Sequence, residues 1–151
     1  MKEYEYSFKV QDLKPYITYC INNNYIEISN SDEIRDLYSN NSGINARITI
    51  TNNEIVLDYK EEDDSNKILK ETLESKQIKI NKDELDSIYK ELNNKNYKLI
   101  KHLERHRIVY IKDNIKFELD EYTYPNHEYV AAIEGNKEEV DKVYEELKKQ
   151  S

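Results

Sequence analysis

The sequence has few residues that break or staple a backbone. Among 151 residues there are two prolines, two glycines and one cysteine. Cys20 has no partner for an internal disulfide and no cysteine-rich metal spacing around it, so disulfide scaffolds and zinc ribbons are excluded. We expect it to be buried on a helix. Without a Pro/Gly-rich linker or an internal repeat, residues 1–151 are expected to form one domain. No apolar run approaches the length of a bilayer span, and the opening MKEYEYSFK lacks a signal-peptide core, so a cytoplasmic protein without membrane association is expected. Positive charge is also short. Lys and Arg number 23 against 31 Asp and Glu, a net −8 that argues against general nucleic-acid binding unless a local basic groove offsets the field, and is compatible with a small anion held by a few inward cations. Tryptophan is absent, and 14 tyrosines supply most of the aromatic surface. With 37% of residues hydrophobic and 36% charged, either the core is thin or the fold keeps charge inside.

What the sequence does have is alternation. In ERHRIVYIKDNIKFELDEY, residues 104–122, two strand-like runs flank Asp113-Asn114, a pair suited to a tight turn with positive φ. A two-residue hairpin sets Arg105 opposite Tyr122, Arg107 opposite Asp120, Val109 opposite Glu118 and Ile111 opposite Lys116. One face then carries Arg105, Arg107, Lys116, Glu118 and Asp120. The other carries His106, Ile108, Tyr110, Phe117 and Leu119. A second hairpin over 45–60, turning at Asn52-Asn53, repeats the division: Arg47 faces Asp58 on the polar side, continued by Lys60, while Ala46, Ile48, Ile50, Ile55, Leu57 and Tyr59 share the apolar side. Acids and bases repeated on one face of several strands can line a closed polar barrel.

Elsewhere, residues 3–10 alternate with Glu3, Glu5, Ser7 and Lys9 on one side and Tyr4, Tyr6, Phe8 and Val10 on the other. A helix capped by Asp12 runs to about Asn22. Tyr25 to Ser29 reads as a short strand; Ile34 to Tyr38 fits a helical turn or a further strand, and Arg35 is held in reserve. Glu61 to Asp64 reads as a solvated acidic turn and Ser65 to Glu74 as a short helix. Gln77 to Ile80 is a short strand with Lys79 on its polar side. Capping boxes at Asn81/Glu84 and Asn136/Glu139 open two further helices. A strand starting at Tyr97 puts Lys101 in phase with Arg105 and Arg107, and Glu128 to Glu134 alternates as the last strand. His102, His106 and His127 lack a metal-ligand spacing and are read as structural or exposed.

The ordered set Glu3-x-Glu5, Arg47, Lys60, Arg105-x-Arg107, Glu118-x-Asp120 and Glu134 before a C-terminal helix resembles the CYTH superfamily. These triphosphate tunnel metalloenzymes include class IV adenylate cyclases, thiamine triphosphatases and inorganic triphosphatases. The resemblance implies an α+β fold built on a closed antiparallel eight-stranded β-barrel with a polar interior, flanked by helices. It implies Mg²⁺ or Mn²⁺ held by Glu3, Glu5, Glu118, Asp120 and Glu134, and a triphosphate held by Arg47, Lys60, Arg105 and Arg107. The strand pattern adds Lys79 and Lys101. Glu5 and Arg107 are the candidates for catalysis. The ligand class is a triphosphate-containing small molecule: tripolyphosphate, a nucleoside triphosphate or thiamine triphosphate. The expected reaction is metal-dependent hydrolysis, with cyclisation of ATP and catalysis-free binding as alternatives. Four positions depart from the family pattern. Ser7 stands for a lysine, for which Lys9 on the same strand face is the expected replacement. Arg-x-Arg reads Arg47-x-Thr49, Thr-x-Lys reads Asp58-x-Lys60, and the late Glu-x-Glu reads Ala132-x-Glu134. Such thinning motivates the binding-only alternative. Arg107 with Asp120, and Arg47 with Asp58, are alternatively no more than cross-strand ion pairs.

Overall fold

The structure, a computed structural model, describes residues 2–52, 54–61, 69–73 and 75–149. The chain runs β1 (Lys2–Val10), α1 (Lys14–Asn22), β2 (Ile26–Ser39), β3 (Ile44–Thr51), β4 (Glu54–Glu61), β5 (Leu69–Leu73) and β6 (Ile78–Ile80). A 3-10 turn over Lys82–Glu84 leads into α2 (Leu85–Asn94), followed by β7 (Lys98–Lys112), β8 (Ile115–Tyr124), β9 (Glu128–Gly135) and α3 (Lys137–Lys149). The strands form one antiparallel sheet in the order β5-β1-β9-β8-β7-β2-β3-β4-β6.

Both hairpin registers follow the alternation. Arg107 pairs with Asp120 and Val109 with Glu118 across β7 and β8, and Asp113 takes the positive φ of the turn. Arg47 pairs with Asp58 across β3 and β4. The helix starts also behave as their side chains dictate. Asp12 accepts the Lys14 N–H at 3.0 Å, just ahead of α1, Glu84 accepts the Asn81 N–H at 3.1 Å, and Asn136 accepts the Glu139 N–H at 3.0 Å.

The apolar faces of the strands lie under the helices. One cluster, beneath α1 and α3, contains Tyr19, Cys20, Tyr110, Phe117, Leu119, Ile133, Val140 and Val143. The other, beneath α2, contains Ala46, Ile48, Leu57, Ile80 and Leu92. Tyrosine supplies bulk to both and keeps its hydroxyl paired: Tyr6 donates to Asp141 and Tyr19 to Glu146, each at 2.6 Å. Cys20 is fully buried, and burial pushes its thiol up to about 12. Phe117, also fully buried, has its ring centre 5.7 Å from that of Tyr19, tilted, and 5.2 Å from that of Tyr25, edge to face. Phe117→Ala is expected to cost about 3–5 kcal/mol, read from urea unfolding, because the rigid rings around it cannot collapse onto the void.

The sheet is rolled. Lys60 Nζ on β4 lies 3.7 Å from Glu5 Oε2 on β1, six strands away in sheet order, a separation of about 29 Å were the sheet flat. Among the described residues no ladder of hydrogen bonds closes it, and nine strands replace the expected closed barrel of eight. The outer edge of β4 is already used. It pairs with β6 at Ile55 to Leu57, and at Tyr59 it bonds Ser75 twice, through the Ser75 N–H and Oγ. The stretch expected as a helix over Ser65 to Glu74 instead provides β5, which pairs with β1; its remaining residues, and 62–64 of the expected acidic turn, lie outside the described residues. The expected short strand and the ambiguous segment after it are one strand, β2, bulged between Glu27 and Ser29.

Candidate functional site

The rolled sheet encloses a cavity of about 360 Å³ lined by side chains from β1, β2, β3, β4, β7, β8 and β9. Its wall is charged with both signs. Arg35, Arg47, Lys60, Arg105, Arg107 and Lys116 face Glu5, Glu61, Glu118, Asp120 and Glu134.

The two signs are unevenly placed. Glu5 from β1, Glu118 from β8 and Glu134 from β9 bring carboxylate oxygens within 4.8 Å of one another. Adjacent strand positions impose this: Glu5 pairs with Glu134 across β1 and β9, and Glu118 lies one pleat from the Lys116 that pairs with Glu134. Burial, the hydrogen bond to Glu118 and the Glu118 charge push Glu134 up to about 9, so the two carboxyls share a proton. Burial opposes the charge on Glu118, but Arg107, that shared hydrogen bond and Lys116 hold it well below the usual carboxylate range. Lys116 Nζ reaches Glu134 at 3.3 Å and Glu118 at 4.0 Å. Three hard oxygen donors that cannot all be charged at close range without a cation form a donor set that fits Mg²⁺ or Mn²⁺.

Opposite lie the guanidiniums. Arg107 is clamped by Asp120 through Nε at 2.7 Å and Nη2 at 2.8 Å, and donates Nη1 to Glu118 at 2.7 Å. Arg105 donates Nε to Glu33 at 3.0 Å and Nη1 to the Tyr122 hydroxyl at 2.9 Å. Its Nη2 lies 2.9 Å from Glu33 yet off the line of a hydrogen bond. Arg47 donates Nε to Asp58 at 3.0 Å and Nη2 to the second oxygen of the same carboxylate at 2.5 Å. Both anticipated cross-strand ion pairs therefore exist, and both stand in the wall of the cavity. Arg35 donates Nε to Thr49 Oγ1 at 3.1 Å.

The other expected site residues divide. Glu5, Arg47, Lys60, Arg105, Arg107, Glu118, Asp120 and Glu134 all line the cavity. Asp120 is taken by Arg107 and stays outside the carboxylate cluster; Glu3 is half-buried on β1, outside the lining, near enough to Lys116 to support its charge. Lys79 does not line the cavity: it pairs with Glu54 at 3.1 Å near the end of β4, its side chain 82% exposed. Lys101, exposed on β7, also lies outside the lining. Lys9 pairs with Glu128 at 3.3 Å and is exposed, so it does not replace the lysine absent at Ser7. Thr49 is not among the lining residues, whereas Asn45 is. Sequence reasoning missed Glu33 and left Arg35 without a role because β2 was not recognised as one strand. It placed Lys116 on the correct face without nominating it. The histidines sit against carboxylates outside the cavity: His102 with Asp36 and Glu104, His106 with Asp32, His127 with Glu121.

Gly135 fixes the end of β9 beside Glu134. A Cβ there would stand 2.7 Å from the Asn114 carbonyl and 3.3 Å from Val140 Cγ2. Gly135→Ala must push the β7–β8 turn off β9 and is expected to cost about 1–3 kcal/mol in thermal or urea unfolding.

No protein-family model and no curated protein matches the sequence. Solved structures do match. A conserved hypothetical protein from Pyrococcus furiosus is similar at a TM-score of 0.77 and 18% identity, over 96% of this chain and 90% of that chain. HpAC1 from Hippeastrum, described as having a dominant triphosphatase activity, is similar at 0.71 and 14% identity, over 98% and 87%. A candidate adenylate cyclase from Vibrio parahaemolyticus is similar at 0.66 and 15% identity, over 96% and 83%. The chain has a CYTH-like fold. Identities this low carry the fold alone, and function must be argued from the site.

Proposed function

We propose that this protein hydrolyses a small inorganic or organic triphosphate inside the rolled sheet, with Mg²⁺ or Mn²⁺ as cofactor and the cytoplasm as its setting. The observation that carries this reading is a single cavity in which a three-carboxylate cluster faces four guanidiniums. A triphosphate requires both: Arg and Lys at close range for its oxygens, and hard carboxylates for the cation that accompanies them. Glu5, Glu118 and Glu134 would hold the metal, which when bound offsets charge on the reacting phosphoryl group and lowers the pKa of a coordinated water. Arg105 and Arg107 are rigid because Glu33, Asp120 and Glu118 hold them, and Lys60 reaches across from β4. Rigid donors aimed into one volume stabilise developing charge without reorganising at the moment of reaction. A bound nucleoside has little to stack on, since among the described residues Tyr122 is the one aromatic side chain of the lining and its hydroxyl is held by Arg105. Hydrolysis is therefore ranked above cyclisation.

The test is phosphate release from tripolyphosphate, ATP and thiamine triphosphate with Mg²⁺ and with Mn²⁺, alongside assay of pyrophosphate and cyclic AMP from ATP. Metal-dependent phosphate release supports the proposal; absence of turnover on the whole panel defeats it. A second reading, binding without turnover, has its own support. Arg47 spends donors on Asp58, Arg105 on Glu33, and Arg107 on Asp120 and Glu118, so three members of the cation wall are already paired. Tight binding of tripolyphosphate with no product over long incubation would select that reading.

A further inference from the structure

Every arginine of the cavity but one is held by a carboxylate. Arg47 has Asp58, Arg105 has Glu33, and Arg107 has Asp120 and Glu118. Arg35 is different. It lies on β2 directly opposite Thr49 on β3, lines the cavity, and spends Nε on the Thr49 hydroxyl. Among the described residues it forms no ion pair, so its two terminal nitrogens remain as unpaired donors. Burial, then the like charges of Arg105, Arg107 and Arg47, push its guanidinium down to about 9. Glu33 supports that charge but is already bonded to Arg105. A cation seated among three others, with no hydrogen-bonded carboxylate, raises the energy of the ligand-free protein, and an incoming anion removes that cost.

We infer that Arg35 is the residue that makes the anion's principal contact in this cavity, supplying from β2 the second guanidinium that Thr49 does not supply from β3. The cross-strand pairing makes this exchange possible, since side chains directly opposite on neighbouring strands emerge about 5 Å apart on the same face. The free fork of Arg35 presents two N–H groups to a pair of phosphate oxygens, whereas Arg107 has all three nitrogens on carboxylates, Arg47 has two on Asp58, and Arg105 has Nε on Glu33, Nη1 on Tyr122 and a buried Nη2 2.9 Å from Glu33. The inference rests on the proposed anion-binding role of the cavity and deepens it by naming the residue on which affinity depends.

Sodium tripolyphosphate binding, measured by calorimetry in EDTA, tests it without requiring turnover. Arg35→Gln is expected to weaken binding about tenfold or more, the worth of hydrogen bonds to a charged group, while Arg35→Lys keeps part of it. The melting temperature of the ligand-free Arg35→Gln protein should hold or rise, because a repelled cation has been removed. A residue serving only to brace β2 against β3 would lower it. If Arg35→Gln binds tripolyphosphate within twofold of wild type, or melts well below it, the assignment of Arg35 is overturned and the proposed function stands. If the wild-type protein binds tripolyphosphate only with Mg²⁺ present, the assignment of Arg35 is overturned and the proposed function stands; if it binds tripolyphosphate neither in EDTA nor with Mg²⁺, the proposed function falls and this inference falls with it.

Discussion

Arg107→Ala is expected to be the most damaging single change in the cavity wall, costing about 3–5 kcal/mol of stability. The reason is what it leaves behind. Asp120 is 1% exposed and accepts two of the Arg107 donors, and Glu118 accepts a third. Burial opposes the guanidinium charge, yet Glu118, Asp120 and Glu33 hold it well above its ordinary value, so the group is locked as a cation. Removing it strands carboxylates that have already lost their water. Urea unfolding of Arg107→Ala measures the loss, and the double variant Arg107→Ala/Asp120→Ala should recover part of it, since the second change removes the stranded charge. A coupling energy near zero in that cycle would mean that the pair is solvated and that the wall is held by other contacts. Under the proposed reaction, catalysis should fall further than stability alone explains, with a loss of about 10² or more in kcat for variants that still fold.

Much of this wall was legible from alternation alone. A period of two assigns every residue of a strand to a face, and a two-residue turn fixes which residues oppose one another. Arg105, Arg107, Glu118 and Asp120 are therefore placed together by the sequence pattern. Alternation does not report position along the strand. Lys79 and Lys101 have the right phase, but they sit outside the stretch of wall that lines the cavity. Nor does it survive irregularity. The bulge between Glu27 and Ser29 shifts the phase of β2, and polar residues on both faces from Asn30 to Glu33 hide the strand, so Glu33 and Arg35 could not be assigned to the interior. Leu69 to Leu73 reads as a turn of helix because Ile68, Leu69 and Leu73 fall near helical spacing; pairing with β1 overrides that preference. Closure was the least legible feature. It depends on which partner takes the free edge of β4, and two short segments, β6 and Ser75, win that edge without any strong signal of their own.

Glu134→Gln should separate the carboxylate cluster's role in the folded protein from its role toward a cation. With its carboxyl pushed up to about 9 by burial and by Glu118, Glu134 is predominantly protonated at neutral pH in the metal-free state. Glutamine matches that neutral form in size and retains a donor for Glu118. The metal-free variant should therefore unfold at the same urea concentration as wild type, or a higher one, because no charge has to be buried at this position. Divalent cation binding should behave in the opposite way. A hard cation among Glu5, Glu118 and Glu134 draws on all three as anions, and the variant can offer only two charged carboxylates, with Lys116 still 3.3 Å from the altered side chain. Mn²⁺ affinity, followed by calorimetry, should drop about tenfold to hundredfold, and metal-dependent phosphate release should drop with it. Equal Mn²⁺ affinity in the variant and wild type would place the cation elsewhere. A fall in metal-free stability without a change in affinity would make Glu134 a brace for β9 and leave the cation site without its third carboxylate.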